Sequence, residues 1–372
     1  MKTARLIVAD SEYDANMLYA VGIFVPDPFI FLEAGGRKIA VLSDLEIDRA
    51  RKQATVDRVL PLRRYQDELK RSGITSPCMS DVLNRVLSEL RVRAVEVPTG
   101  FPIGLARRLR GIRVNVKPGP FFPEREVKTA GEIRNLTKAL RLAECGMTAA
   151  IRVLRASRIE QDGFLRWRGK KLTSELVQRI INAVIARLGG TARHTIVAGG
   201  NQGCDPHEEG RGPLRPHKPI IIDIFPRDTR TGYWGDITRT VVRGKASERV
   251  KSMYTAVSKA QELAFQKLRA GVNGQDVHNT ILASFQNYGF PTSRHRGRMQ
   301  GFFHGTGHGL GLEIHEPPRV SAVDATLRAG NVVTVEPGLY YWDAGGVRLE
   351  DVAVIQSHGA RNLTTFPKVL EI

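Results

Sequence analysis

The chain has 372 residues, 42% of them apolar, which is enough to fill more than one hydrophobic core and excludes a disordered class. Its 36 glycines and 19 prolines are scattered rather than periodic, which excludes collagen-like and short-repeat architectures. The net charge of +18 raises a nucleic-acid partner, but the first 125 residues carry 21 Lys/Arg against 15 Asp/Glu and the remainder 35 against 23, so the excess follows length and forms no basic arm. One local cluster stands out, Arg294, His295, Arg296 and Arg298. Cys78, Cys145 and Cys204 are far apart with no CxxC spacing, as expected in a reducing compartment. The N-terminal stretch MKTARLIVAD lacks the apolar core of a signal peptide, and the apolar residues 17–32 are interrupted by Pro26 and Pro28. A cytoplasmic protein with no membrane partner is expected.

In chain order, RLIVA, FIFLE, KIAVLSD and AVEVP predict strands, and residues 81–91 predict a helix with Asp81 as its N-cap. Together they make an α/β domain of about 120 residues. The proline-rich stretch 116–126, VKPGPFFPERE, predicts a linker. Thr129 and Glu132 then form a capping box that opens a helix in which Ile133, Leu136, Leu140, Ala143, Met147, Ala150 and Leu154 recur at helical spacing. A second helix runs from Ser174 to about Leu188, where Gly189 and Gly190 stop it. TIVAGG, PIIIDIF and YWGDITRTVV follow as strands. The order then repeats. Ser247 caps a helix to about Ala270, another lies between Gly274 and Gly289, and GHGLGLEIH, NVVTVEPGLYY and VRLEDVAVIQ predict three more strand segments. Two helix-helix-strands groups in succession predict two similar halves around one site.

Chemistry concentrates in the second group of elements. Asp223 and Asp236 lie on apolar runs joined by PRDTRTG, whose turn formers allow a hairpin with both carboxylates on one face. A buried carboxylate pair needs a cation or a proton to neutralise it. The stretch HGTGHGLGLEIHEP places His304, His308 and His315 among glycines and next to Glu316, so imidazoles can project where the backbone is uncrowded. Glu336 and Glu350 fall inside apolar, strand-like runs, where an acid without a partner is unwelcome. A shared metal centre accounts for all of them.

These motifs, IIIDIF…GYWGDITRT, HGTGHGLGLEIHEPP, VTVEPGLY and GVRLEDVAVI, resemble in order those of the methionine aminopeptidase/prolidase superfamily. The resemblance covers the chain from about Lys128 onward, and the domain in front resembles that of Xaa-Pro aminopeptidases, prolidases and creatinase. It implies a creatinase-like N-terminal α/β domain over residues 1–122 and an α+β pita-bread domain with pseudo-twofold halves over residues 123–372. Carried over by motif position, Asp223, Asp236, His308, Glu336 and Glu350 correspond to the five ligands of a two-metal site, with Asp236 and Glu350 bridging. The oxygen-rich donor set suits Mn²⁺, with Co²⁺, Fe²⁺ or Zn²⁺ as alternatives. Two such cations roughly 3.5–4 Å apart would bring the pKa of a shared water toward ~7 and polarise the scissile carbonyl.

The resemblance further implies Glu336 as proton shuttle, His315 as oxyanion stabiliser and His207 as a substrate contact, with His304 lining the pocket. Arg348 would orient a bridging carboxylate or meet a substrate carboxylate. The expected activity is that of a metallo-exopeptidase acting on peptides with proline at the second position, as aminopeptidase or dipeptidase, in a homodimer. The contrasting reading is a non-catalytic pita-bread protein that binds nucleic acid or protein through its basic surface. Two departures from the family pattern bear on the rim of the pocket: the Asp223 to Asp236 spacing is two residues longer, and Glu208 follows His207 in place of an aromatic residue.

Overall fold

Residues 3–372 are described by the computed structural model, and they divide into two units after Arg125. In the first unit the apolar runs form strands β1 (Thr3–Ala9), β2 (Phe29–Ala34), β3 (Arg37–Leu42), β4 (Arg58–Pro61), β5 (Ala94–Val97) and β6 (Arg113–Val116). They make one sheet in the order β4-β3-β2-β1-β5-β6, antiparallel at β1/β2 and β2/β3 and parallel elsewhere. The strands read as unbroken apolar runs because both faces are covered. Phe29 and Phe31 pack with Met17, Val21 and Ile47, while Ile30 and Leu32 pack with Tyr65, Leu83 and Val86. The covering helices are α1 (Ala15–Val21), α2 (Ile47–Gln53), α3 (Leu62–Arg71) and α4 (Met79–Glu89).

Two expectations for this unit are corrected. The helix expected to begin at Asp81 is capped by Cys78; Asp81 is its third residue and accepts the Cys78 N–H at 3.0 Å, so it serves the reciprocal arm of a capping box. Stretch 116–126 does contain the division between the units, but it is not a free linker. Val116 closes β6, and Phe121 and Phe122, 3% and 2% exposed, pack into the same core as Phe31.

The first helix of the second unit starts where the capping box places it. Thr129 and Glu132 exchange hydrogen bonds at the head of α5 (Ala130–Ala156), which packs on α6 (Ser174–Arg187). Strands β7 (Ile196–Gly199), β8 (Pro219–Ile224) and β9 (Ile237–Val242) form an antiparallel sheet in chain order. A second helix pair follows, α7 (Glu248–Lys267) capped by Ser247 and α8 (Gly274–Asn287) capped by Asn273. The Arg294–Arg298 cluster forms a short exposed hairpin, Ser293–His295 against Arg298–Gln300.

After that hairpin come strands β10 (Gly307–Gly309), β11 (Glu316–Val320), β12 (Val332–Val335), β13 (Gly338–Tyr341), β14 (Gly345–Arg348), β15 (Asp351–Gln356) and β16 (Gly359–Asn362). Five of them form an antiparallel sheet in the order β11-β10-β12-β15-β16, and β13 pairs separately with β14. Three long strand expectations are therefore corrected. NVVTVEPGLYY breaks at Glu336 and Pro337, because proline has no N–H to continue the ladder. VRLEDVAVIQ breaks at Leu349 and Glu350, where the chain passes from the hairpin to the larger sheet. Of GHGLGLEIH only Gly307–Gly309 is strand. Among the described residues no helix is long and apolar enough to cross a membrane.

Candidate metal centre

The β8/β9 ladder pairs Asp223 with Thr238, so Asp236, two residues before Thr238, falls on the Asp223 face by the two-residue strand period. Asp236 itself lies one residue before β9 rather than within it. The long connection is taken up by an excursion in which Arg227 and Asp228 pair with Gly190 and Thr191. At Gly235 a Cβ would lie 2.4 Å from the backbone of Ala139 on α5, so the turn delivering Asp236 admits only glycine.

His308 sits on β10, with its N–H donated to Thr334 Oγ1 at 3.0 Å. Its Nδ1 lies 3.1 Å from the Gly309 carbonyl and so carries the proton, which leaves the Nε2 lone pair facing inward. That nitrogen is 3.8 Å from Asp236 Oδ2 and 3.4 Å from Glu336 Oε1. The flanking glycines are required by close approach: a Cβ at Gly307 would lie 1.9 Å from the Thr334 carbonyl oxygen, and one at Gly309 2.3 Å from that of Pro317. Glu336 and Glu350 occupy the two strand breaks, where the ladder does not fix the direction of a side chain. Thr334 Oγ1 donates to Glu336 Oε1 at 3.3 Å, and Thr238 Oγ1 to Glu350 Oε2 at 2.8 Å.

Asp236, His308 and Glu350 each offer a ligand atom within 4.8 Å of the others. Asp223 joins from β8; its Oδ2 accepts from Arg348 Nη2 at 2.7 Å, and its buried Oδ1 finds no hydrogen-bond partner among the described residues. An orphaned carboxylate oxygen beside three converging donors is the place a cation fits. Charge balance agrees. Burial, and then the neighbouring carboxylates, raise the carboxyls of Asp236 and Glu350 well above their usual range. Burial also pushes Glu336 up to about 7. Burial and the nearby His315 hold His308 down at about 3, so it is a neutral donor near pH 7. Four carboxylates and one neutral imidazole form the hard donor set of divalent-ion sites.

The other expected residues separate into two kinds. His207 and His315 are exposed and line a cleft of about 840 Å³ that opens onto the acids, with the His315 ring edge-on to His308 at 4.4 Å. His304 also lines it, but both ring nitrogens are engaged. Nδ1 donates to the Gly305 carbonyl at 2.8 Å, so Nε2 accepts from Tyr340 Oη at 2.8 Å. Burial keeps His304 at about 3. Arg348 donates to Tyr340 Oη at 3.0 Å as well as to Asp223, and is 3% exposed. It thus orients the carboxylate of Asp223 while also lining the cleft. Glu316 does not enter the acid cluster; it forms a buried 2.6 Å ion pair with Lys128. Thr238, Thr334 and Tyr340 were missed in sequence. The only signal for Thr238 was the alternation in ITRT, which puts both threonines on the Asp223 face of β9.

Asp236, His308 and Glu350 converge, with Asp223 and Glu336 beside them, on a fold of two antiparallel sheets and two helix pairs, an arrangement of the pita-bread class of metallopeptidases. The signature of metallopeptidase family M24 matches residues 134–357, and the chain belongs to that family, whose members use divalent metal. It is 31% identical to the Xaa-Pro dipeptidase of Pyrococcus furiosus over 250 residues, 64% of this chain and 63% of that protein. The match thus spans less than two thirds of that relative. With the Xaa-Pro dipeptidase of Pyrococcus horikoshii it shares 28% identity over 288 residues, 73% of each chain. Among solved structures, the X-Pro aminopeptidase of Thermotoga maritima superposes with a TM-score of 0.83 at 24% identity, covering 100% of this chain and 98% of that one. The prolidase of Pyrococcus horikoshii gives 0.80 at 25% identity, covering 99% and 95%.

Proposed function

We propose that the chain is a dinuclear-metal-dependent exopeptidase that hydrolyses the Xaa-Pro bond at the start of peptides or in dipeptides, with Asp223, Asp236, His308, Glu336 and Glu350 as ligands. The observation that carries the reading is the orphaned Asp223 Oδ1 beside the converging Asp236, His308 and Glu350. A divalent pair bound there supplies Lewis-acid polarisation of the scissile carbonyl and activation of the attacking water. Glu336, the most open of the five with 19% side-chain exposure, takes up a proton at Oε1 and delivers it to the departing amine. His315 and His207, on the cleft walls, donate to the substrate carbonyl and stabilise its developing negative charge. Ile196, Phe225, Phe303 and Ile314 give the same cleft an apolar wall for a proline ring. An Xaa-Pro bond suits a dedicated site because proline lacks the N–H that many peptidases bind.

The choice of Mn²⁺ rests on the oxygen-rich donor set. The creatinase-like character of residues 1–122 and the homodimer belong to the same proposal and rest on the resemblance. The test is hydrolysis of Ala-Pro, Ala-Pro-Ala and Ala-Ala-Ala by metal-stripped protein refilled with Mn²⁺, alongside Asp236→Asn. Cleavage of the proline peptides alone, lost on chelation and in the variant, is the expected result. Cleavage that survives both treatments, or that ignores proline, overturns the reading.

A further inference from the structure

Glu350 sits in a strand break, so the sheet ladder does not hold its backbone. Its N–H goes to the Thr238 carbonyl at 3.0 Å, and its own carbonyl accepts from Arg239 Nη1 at 2.6 Å. Arg239 follows Thr238 on β9 and points from the opposite face of the strand. It is 2% exposed and is not among the residues that line the cleft over the acids. Its remaining donors reach Thr238 O at 2.9 Å, Asp351 Oδ1 at 2.8 Å, Phe366 O at 2.7 Å and Pro367 O at 3.1 Å. Those five bonds use the full donor capacity of a guanidinium.

We infer that Arg239 is a positioning residue for the metal centre: its planar fork replaces the missing ladder at the β14/β15 break and fixes the Glu350 backbone so that its carboxylate converges with Asp236 and His308. The inference rests on the metal-site reading above. Arg239 acts by geometry rather than by charge. Asp351 neutralises it at 2.8 Å, and Asp351 is held in turn by Lys368 at 2.6 Å and Asn362 at 3.0 Å. The Thr238 carbonyl accepts from both Arg239 and Glu350, and the Thr238 hydroxyl holds Glu350 Oε2 at 2.8 Å, so one dipeptide of β9 governs both the backbone and the side chain of Glu350. Lysine, with three donors on one nitrogen, cannot span acceptors that surround a planar group on several sides.

The test compares Arg239→Lys and Arg239→Met with Arg243→Met in otherwise intact protein. Arg243 makes a comparable set of backbone bonds, to Ser157 at 2.9 Å and to Ile372 at 3.2 Å, without reaching Glu350. Metal-free protein is titrated with Mn²⁺ in a calorimeter, and its visible spectrum is recorded with Co²⁺. In both Arg239 variants the Mn²⁺ dissociation constant is expected to rise about 10- to 100-fold, the usual effect of losing a group that orients a ligand. The Co²⁺ spectrum shifts, and kcat on Ala-Pro recovers at saturating Mn²⁺. Arg243→Met is expected to lower the melting temperature and leave the Mn²⁺ constant unchanged. If Arg239→Met does not fold, the lysine variant decides, since it keeps a cation opposite Asp351. An unchanged Mn²⁺ constant in Arg239→Lys, or an equal loss in Arg243→Met, overturns the inference alone. Absence of Mn²⁺ binding by the unaltered protein overturns the metal-site reading and this inference with it.

Discussion

Glu336→Gln should stabilise the metal-free protein while weakening its hold on metal. Burial lifts the Glu336 carboxyl from its usual 4.5 to about 7. Its folded value is thus raised above its unfolded value, so well below pH 4.5 the group costs nothing. As pH rises through 4.5 to about 7 the unfolded chain releases this proton first, and the folded state loses stability. Above that window the full difference applies, ~2.5 pKa units or about 3 kcal/mol. Glutamine keeps the shape and carries no charge, so at pH 8 the variant should melt about 6–12 °C higher at 2–4 °C per kcal/mol, whereas at about pH 3.5 the two curves should coincide. His304 and His308, held down at about 3, impose the opposite trend on both proteins below pH 6.5, and the difference between variant and parent cancels it. The assay is a thermal melt of chelator-treated protein at several pH values, repeated with Mn²⁺, where the order should reverse. A variant no more stable than its parent at pH 8 would refute the argument that ionised Glu336 carries a burial cost which a cation relieves.

The buried Lys128–Glu316 pair, with side chains 1% and 4% exposed at 2.6 Å, gives a second prediction. Lys128→Met should cost about 3–5 kcal/mol by removing the cation opposite the buried Glu316 carboxylate, and adding Glu316→Gln should recover much of it in a denaturant-melt cycle. Thr238→Val removes the hydroxyl that holds Glu350 Oε2 at 2.8 Å, so the Mn²⁺ dissociation constant measured by calorimetry should rise about 10- to 100-fold. Gly307→Ala forces a Cβ to within 1.9 Å of the Thr334 carbonyl oxygen and should cost at least about 1–3 kcal/mol; Gly359→Ala, with nothing within 4 Å, should stay within about 0.5 kcal/mol in the same melts.

How much of this was legible in sequence depended on how local each determinant is. The head of α5 follows from two residues of a capping box, and the shared face of Asp223 and Asp236 from parity across one hairpin. The helices α1, α2 and α3 were not legible. The first two are seven residues each, too short for a full helical period pattern, and α3 buries only Tyr65. Nor was the pairing of Lys128 with Glu316, which are 188 residues apart in the chain. Glu316 reads in sequence as a neighbour of His315, and only the tertiary fold shows that it anchors the end of the glycine-rich segment instead of joining the acids.

The strand breaks at Glu336 and Glu350 show why those acids could be placed in a site but not in an element. An acid inside a continuous antiparallel strand would have its side chain fixed perpendicular to the sheet, with both neighbours committed to ladder bonds. Interrupting each strand at the acid releases the side chain from that alternation but leaves backbone polar groups to be satisfied by other means. For Glu336 the N–H goes to the Thr306 carbonyl at 2.8 Å, just ahead of His308. For Glu350 the N–H and carbonyl go to the Thr238–Arg239 dipeptide, just after Asp236. Each break is therefore stitched to the segment that carries another member of the cluster. This couples the position of Glu336 to that of His308, and the position of Glu350 to that of Asp236, through hydrogen bonds made by the acid's own backbone.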